Sequence, residues 1–332
     1  MPICTALAIC ALALSSQRGI GLDDVARSAI EAGHASVAAM SPPLVAAHRG
    51  GFFHNQGGLT RIKQTIAAGH ADVIEIDLQA TSDGKVFVYH DPLLQSHTDC
   101  TGAIGDLTYA QVASCRLKDS GEPVPLFSDV IQAAGDHAIL DAEFKTEATI
   151  APGIDMARQW NAIDRIYFQL GGDRKRYQTV RALSMDSTLQ FKALSDEDLD
   201  WALSLDDPQL RIIEMDRNFI SKDRIKAAHD HAKLVSFDTW RRQYTEERFA
   251  ASCRWAYTSG VDIAVTNNPD SCARQRHSKP YSAPHRWIYA AIGRPHVRQF
   301  ARDISSMGQS AFQSAGNFVA DTKEWIGMEN HR

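Results

Sequence analysis

IEIDLQATSDGKVFVYHD, residues 74–91, is the stretch on which the fold turns. It continues a β-branched run, VIEIDLQ (73–79), whose side chains alternate between two faces, so Glu75 and Asp77 project together. VFVYH (86–90) reads as another strand, ending on His90 with Asp91 next to it. Carboxylates within apolar strands are costly to bury unless an ion or a donor compensates them. The stretch therefore predicts a buried sheet that carries chemistry at its rim.

Outward from it the same rhythm recurs in LVAAHR (44–49), AILDAEFK (138–145), RIYFQL (165–170), LQFKAL (189–194), RIIEMD (211–216), KLVSFD (233–238) and DIAVT (262–266). Helix-like segments lie between these runs, among them TRIKQTIAAG, closing on Gly69, and SKDRIKAAHDH, opening on Ser221. Strand and helix alternating over residues 43–275 predict an α/β fold, a (β/α)8 TIM barrel with extra N- and C-terminal helices. A doubly wound sheet is the runner-up. Nine candidates for eight barrel positions leave one as a short accessory strand. Residues 92–130 read as an insertion after the third strand, of the kind that covers active sites. Residues 1–42 read as an N-terminal helical segment or signal-like leader, and 276–332 as a helical tail with a Gly-Arg-Pro break at 293–295.

The 332 residues carry a formal net charge of -5 with both signs interspersed, which gives no footprint for nucleic acid and leaves a small polar molecule as the expected partner. Oligomeric state is not legible. No apolar run is long enough to span a bilayer, and the basic stripe Arg286, Arg294, Arg298, Arg302 reads as a solvated helix face rather than a membrane contact. MPICTALAICALALSSQ has the length of a signal core, and Ala11-Leu12-Ala13 resembles a cleavage site. No Lys or Arg precedes Arg18, however, which favours a cytoplasmic chain over a secreted one. The six cysteines, at 4, 10, 100, 115, 253 and 272, have no metal-type spacing and are expected to be isolated thiols.

Ionisable residues gather where four successive strands end: His48 with Arg49, Glu75 with Asp77, His90 with Asp91, and Glu143 with Lys145. Glu75, Asp77 and Glu143 are hard oxygen ligands suited to one divalent cation, Mg²⁺ or Ca²⁺. His48 and His90, on separate strand ends, suit a proton acceptor and a proton donor on opposite sides of a reacting centre. Arg49 and Lys145 would neutralise an anion whose charge spreads over several oxygens. That combination describes phosphoryl transfer or phosphodiester cleavage.

These residues fall in blocks whose order resembles the glycerophosphodiester phosphodiesterases: AHRG (47–50), IEIDLQATSDGKVFVYHD (74–91), TGAIGDLT (101–108), VPLFSDVI (124–131), AEFK (142–145) and GVDIAVTNNPD (260–270). The resemblance implies a TIM barrel in which His48 and His90 are the general acid/base pair, Glu75, Asp77 and Glu143 hold the metal, and Arg49 and Lys145 bind the phosphate. It also implies a reaction in which a neighbouring substrate hydroxyl attacks phosphorus and water then opens the cyclic phosphate. A lipid-directed phosphodiesterase of the sphingomyelinase D kind fits the His-Asp at 90–91 and the block spacing less well.

Three positions depart from that pattern. The family's Glu-Asn-Thr run falls on Gly57, Gly58 and Leu59, its Trp-Thr on Asp238-Thr239 with Trp240 displaced, and the Arg of its Leu-Asp-Arg run on Ser96. Gln56 or Asn55 would replace the lost acid only in part, because neither carries charge. Catalytic residue types are kept while recognition residues differ, which predicts a working enzyme with an enlarged, more polar pocket. A sugar phosphodiester synthase of the agrocinopine synthase type is the alternative, and a catalytically silent barrel that binds a phosphorylated ligand is another.

Overall fold

The structure is a computed structural model that describes residues 35–51, 58–239 and 246–277. Its strands are β1 (Leu44–Ala47), β2 (Val73–Ala80), β3 (Val86–Val88), β4 (Ile139–Phe144), β5 (Ile166–Gln169), β6 (Thr188–Ala193), β7 (Leu210–Met215), β8 (Leu234–Asp238) and β9 (Ile263–Thr266). Eight of them pair in parallel and close a ring in the order β1, β2, β4, β5, β6, β7, β8, β9, with β9 returning to β1. The helices are α1 (Leu59–Ala68), α2 (Tyr109–Ala113), α3 (Phe127–Ala134), α4 (Ile150–Gln159), α5 (Arg174–Leu183), α6 (Asp196–Ser204), α7 (Lys222–Asp230), α8 (Glu246–Ser259) and α9 (Pro269–Ala273). The architecture is the expected (β/α)8 barrel.

The accessory strand is β3. It runs antiparallel to β2 outside the ring, with Leu78 opposite Val88, so the chain folds back and brings residue 89 beside Asp77. His90 thus reaches the rim by a hairpin return rather than from a barrel strand.

Alternation along β2 explains how one strand serves two environments. Ile74, Ile76 and Leu78 face the helices in the main core, whereas Glu75 and Asp77 point into the lumen. The lumen floor is apolar, filled by Leu44, Ala46, Val73, Ile139, Ile212 and Ile263 and closed by Val37 from a short turn at Val37–Ala39. Each buried Val, Leu or Ile among them is worth roughly 1.5–3 kcal/mol. Gly69 ends α1 in the left-handed region at φ 67°, and Ser221 caps α7 by accepting from the Arg224 N–H, as their sequences predict.

Three expectations need correction. His48 and Arg49 are not the end of a strand: β1 stops at Ala47, and they form a tight turn in which Arg49 takes φ 51°. The insertion ends earlier than residue 130, because α3 begins at Phe127; before it, Phe87, Tyr89, Leu94, Ile104, Val112 and Leu117 build a small core of their own. The cysteines are not isolated thiols: Cys100 bonds to Cys115 within that insertion, and Cys253 on α8 bonds to Cys272 on α9. Their Cα atoms stand 5.5 and 5.2 Å apart, which suits a disulfide. The leader, most of the tail with its arginine stripe, Cys4, Cys10, Asn55, Gln56, Gly57 and Trp240 lie outside the described residues.

Candidate active site

Glu75 and Asp77, each 3% exposed, and the half-buried Glu143 converge so that one oxygen of each lies within 4.8 Å of the others. Register explains the meeting, since Asp77 and Glu143 are paired across β2 and β4. Lys145 places its ammonium 3.3 Å from Asp77 Oδ1 and 3.2 Å from Glu143 Oε1. Arg49 Nε lies 3.7 Å from Asp77 Oδ2, and its backbone N–H donates to Glu75 Oε2 at 2.8 Å. The turn that puts φ above zero at Arg49 is what aims that N–H at Glu75.

Charge in this cluster is unbalanced. Burial first, then the Asp77 carboxylate, hold Glu75 well above its ordinary range. Burial alone would lower Lys145, but the adjacent Asp77 and Glu143 outweigh it and keep the ammonium firmly protonated. Three carboxylates against two cations, with all-oxygen donors, fit a bound divalent cation.

His48 sits above Glu75, its Nε2 4.0 Å from Glu75 Oε2. Its Nδ1–H donates to Asn267 Oδ1 at 2.6 Å, which fixes the tautomer with the lone pair on Nε2. Burial, then the Arg49 charge, lower the imidazole to about 3, so the ring is neutral near pH 7. His90 Nδ1 bonds Asp91 Oδ1 at 2.7 Å, and His97 Nε2 approaches the other oxygen of Asp91 at 3.3 Å. Burial opposes ionisation of Asp91, yet the His90 hydrogen bond and both imidazoles hold it below the usual carboxylate value.

All seven residues singled out from the sequence therefore gather at one mouth of the barrel: His48, Arg49, Glu75, Asp77, His90, Glu143 and Lys145. Asn267 and His97 were not singled out, although Asn267 follows β9 by one residue in a block already quoted. A further charged set was also missed. Lys192 on β6 is ion-paired with Glu214 on β7 and lies 3.7 Å from Asp238 Oδ2 on β8. Burial and Glu214 hold the Asp238 carboxyl well above its usual range.

The departures are clarified as well. A Cβ on Gly58 would stand 3.3 Å from both carboxylate oxygens of Glu122, which also accepts the Thr60 N–H at 3.0 Å. The room expected at Gly58 is thus occupied by an acid from the insertion. Asp238 does make its part of the pocket polar, while Thr239 turns away and donates to the Val265 carbonyl at 2.8 Å.

Residues 48–271, more than half of the chain, match the model of the glycerophosphoryl diester phosphodiesterase family. A glycerophosphodiester phosphodiesterase of Caldanaerobacter subterraneus is 31% identical over 120 residues, 34% of this chain and 49% of that protein. A probable glycerophosphodiester phosphodiesterase 2 of Mycobacterium tuberculosis is 27% identical over 111 residues, 33% of this chain and 41% of that protein. The aligned region thus spans less than half of either relative. Among solved structures, a glycerophosphodiester phosphodiesterase from Agrobacterium tumefaciens superposes with a TM-score of 0.59 at 18% identity, covering 70% of this chain and 98% of that one. An Oleispira antarctica phosphodiesterase, solved with its product sn-glycerol-3-phosphate, gives 0.59 at 17% identity over 70% and 96% of the two chains. At these identities the superpositions speak for the fold. Together with the matched residues, they establish that the chain belongs to the glycerophosphoryl diester phosphodiesterase family.

Proposed function

We propose that the protein is a phosphoric diester hydrolase acting on a small-molecule glycerophosphodiester, with one divalent cation, Mg²⁺ or Ca²⁺, held by Glu75, Asp77 and Glu143. The observation that carries this reading is the convergence of those three carboxylates within 4.8 Å beside a neutral, oriented imidazole. When bound, the cation would supply charge stabilisation to the phosphoryl oxygens.

The remaining steps belong to the chain's own residues. Arg49 and Lys145 hold the non-bridging oxygens of the diester. His48, kept in the correct tautomer by Asn267, takes the proton from the substrate hydroxyl next to the phosphate through Nε2, and that hydroxyl oxygen bonds to phosphorus. His90, oriented by Asp91, gives a proton to the oxygen of the departing alcohol as its P–O bond breaks. Water then opens the cyclic phosphate, with the two imidazoles exchanging roles. The sugar phosphodiester synthase reading draws support from Asp238, which puts a carboxyl where the family has an aromatic ring. The two disulfides support an oxidising compartment over the cytoplasm.

The test is product release from glycerophosphocholine and glycerophosphoethanolamine, which both carry the hydroxyl next to the phosphate, with Mg²⁺, with Ca²⁺ and with chelator, for wild type and His48→Ala. Turnover should require the cation, and His48→Ala should lower kcat by at least about 10²-fold. That variant should keep the cation-induced rise in Tm. Turnover indifferent to chelator removes the metal role, and none under any condition favours the silent barrel. Formation of a new diester on adding sugar acceptors would favour the synthase.

A further inference from the structure

The proposed chemistry leaves the opposite wall of the lumen unused. In the eight-strand ring β7 stands across from β2, and β8 across from β4. Glu214 and Asp238 therefore face the carboxylate cluster, with Lys192 beside them. Lys192 and Glu214 are register partners, and the Glu214 carboxylate also accepts from Gln190 Nε2 at 3.2 Å. The side chains of Lys192 and Asp238 keep 28% and 23% of their exposure, so this set opens to the mouth. One layer deeper, Gln190 Oε1 and Ser236 Oγ are buried with no hydrogen-bond partner.

Carboxylate, ammonium and carboxylate in sequence, open to the mouth above the buried Gln190 and Ser236, suit a ligand whose groups both donate and accept. Hydroxyls do both. Two adjacent hydroxyls can donate to a carboxylate and accept from Lys192 at once. A quaternary ammonium does neither, so it would leave Lys192 and the acids without a hydrogen-bond partner.

Resting on the phosphodiesterase reading, we propose that Lys192, Glu214 and Asp238 form the subsite for the alcohol portion of the diester and select a cyclic polyol with adjacent hydroxyls. The register places this subsite across the lumen from the phosphate position, as one substrate bridging the pocket requires.

The experiment compares kcat/KM for glycerophosphoinositol, glycerophosphocholine and glycerophosphoethanolamine in the presence of Mg²⁺ or Ca²⁺. Wild-type protein should prefer the inositol ester by at least about tenfold, since choline pairs with none of these groups and the ethanolamine ammonium can donate to the acids but leaves Lys192 without an acceptor. In the double variant Lys192→Met with Glu214→Leu, which removes both ends of the ion pair, the preference should fall to within about threefold of unity. Equal turnover by wild type, preference for a cationic head group, or an unchanged ratio in the folded double variant overturns the subsite. The wild-type preference decides the matter by itself if the double variant does not fold. Cleavage of all three esters without any preference sinks the subsite alone, whereas no cleavage of any of them removes the phosphodiesterase reading and this inference with it.

Discussion

The two walls of the barrel mouth use the same residue types to different ends. On the β6 to β8 wall Lys192 reaches both acids, Glu214 and Asp238. On the β2 and β4 wall Lys145 reaches Asp77 and Glu143, but the nearest ionisable side chain to Glu75 in an ion-pair sense is His48 at 4.0 Å, and that imidazole is neutral near pH 7. On the β6 to β8 wall one ammonium bridges both acids, whereas on the β2 and β4 wall no charged side chain among the described residues pairs with Glu75. A buried carboxylate kept in that state is a cost to folding. Ion pairs at one rim thus hold shape on one side, while on the other they leave three carboxylates grouped as a divalent cation would require.

The largest expected effect tests this contrast directly. Glu75→Gln should lower kcat/KM by about 10³-fold, equivalent to about 4 kcal/mol of transition-state stabilisation, yet cost no stability without divalent ions, since a repelled buried charge is gone. Lys192→Met should do the reverse to stability, lowering the unfolding free energy by about 3 kcal/mol because Glu214 is left buried and unpaired. Urea titrations with and without Mg²⁺, run beside the rate measurements, separate the two. If both variants lose stability alike, the walls are equivalent and the contrast fails.

The same walls show what the sequence could carry. Buried parallel strands read as short, near-continuous apolar runs, so all nine strands were placed within a residue or two. Pairs two residues apart, Glu75 with Asp77 and Glu143 with Lys145, made the β2 and β4 wall legible. Lys192, Glu214 and Asp238 contribute one charge per strand, and their meeting depends on register between strands, which no local spacing encodes. A charged residue near the end of each apolar run, in QFKAL, RIIEMD and VSFD, was the available signal. The disulfides were hidden for a related reason, because separations of 15 and 19 residues match no motif, and only the packed insertion and the α8 to α9 contact bring the thiols together. His97 and Glu122 likewise arrive at the site through the fold of the insertion.

That insertion contacts the β2 and β4 wall through His97, so removing its crosslink should perturb one wall more than the other. The Cys100–Cys115 bond closes a separation of 15 residues, for which chain entropy gives about 3 kcal/mol. Cys100→Ser with Cys115→Ser should speed hydrogen exchange across residues 92–126 and reduce kcat, since the insertion presents His97 to Asp91 and Asp91 orients His90. The ratio of kcat/KM between two diesters that differ in their alcohol should change less than kcat does, because the selecting residues lie on the other wall. A larger change in that ratio than in kcat would show that the insertion shapes both.

The smallest effect supplies a reference for a satisfied ion pair remote from the mouth. In the loop before β7, Asp207 accepts from Arg181 Nε at 2.6 Å, from Tyr177 O–H at 3.0 Å and from the Gln209 N–H at 2.8 Å, and both ion-pair side chains are 10% exposed. Burial works against its charge, but these donors, Arg181 foremost, hold the carboxyl below its ordinary value. A depressed carboxylate stabilises the fold above the unfolded pKa, near 3.9, and that stabilisation disappears as pH falls through the folded value. Asp207→Asn should therefore cost about 2 kcal/mol at pH 7, as expected for a charge-assisted hydrogen-bond network. The gap between wild type and variant should hold down to about pH 5 and narrow below about pH 4. Urea midpoints at three pH values measure it. A gap that stays constant under acid would mean that packing of the Arg181 stem, and not the charge, is what Asp207 contributes, and the same reinterpretation would then extend to Lys192.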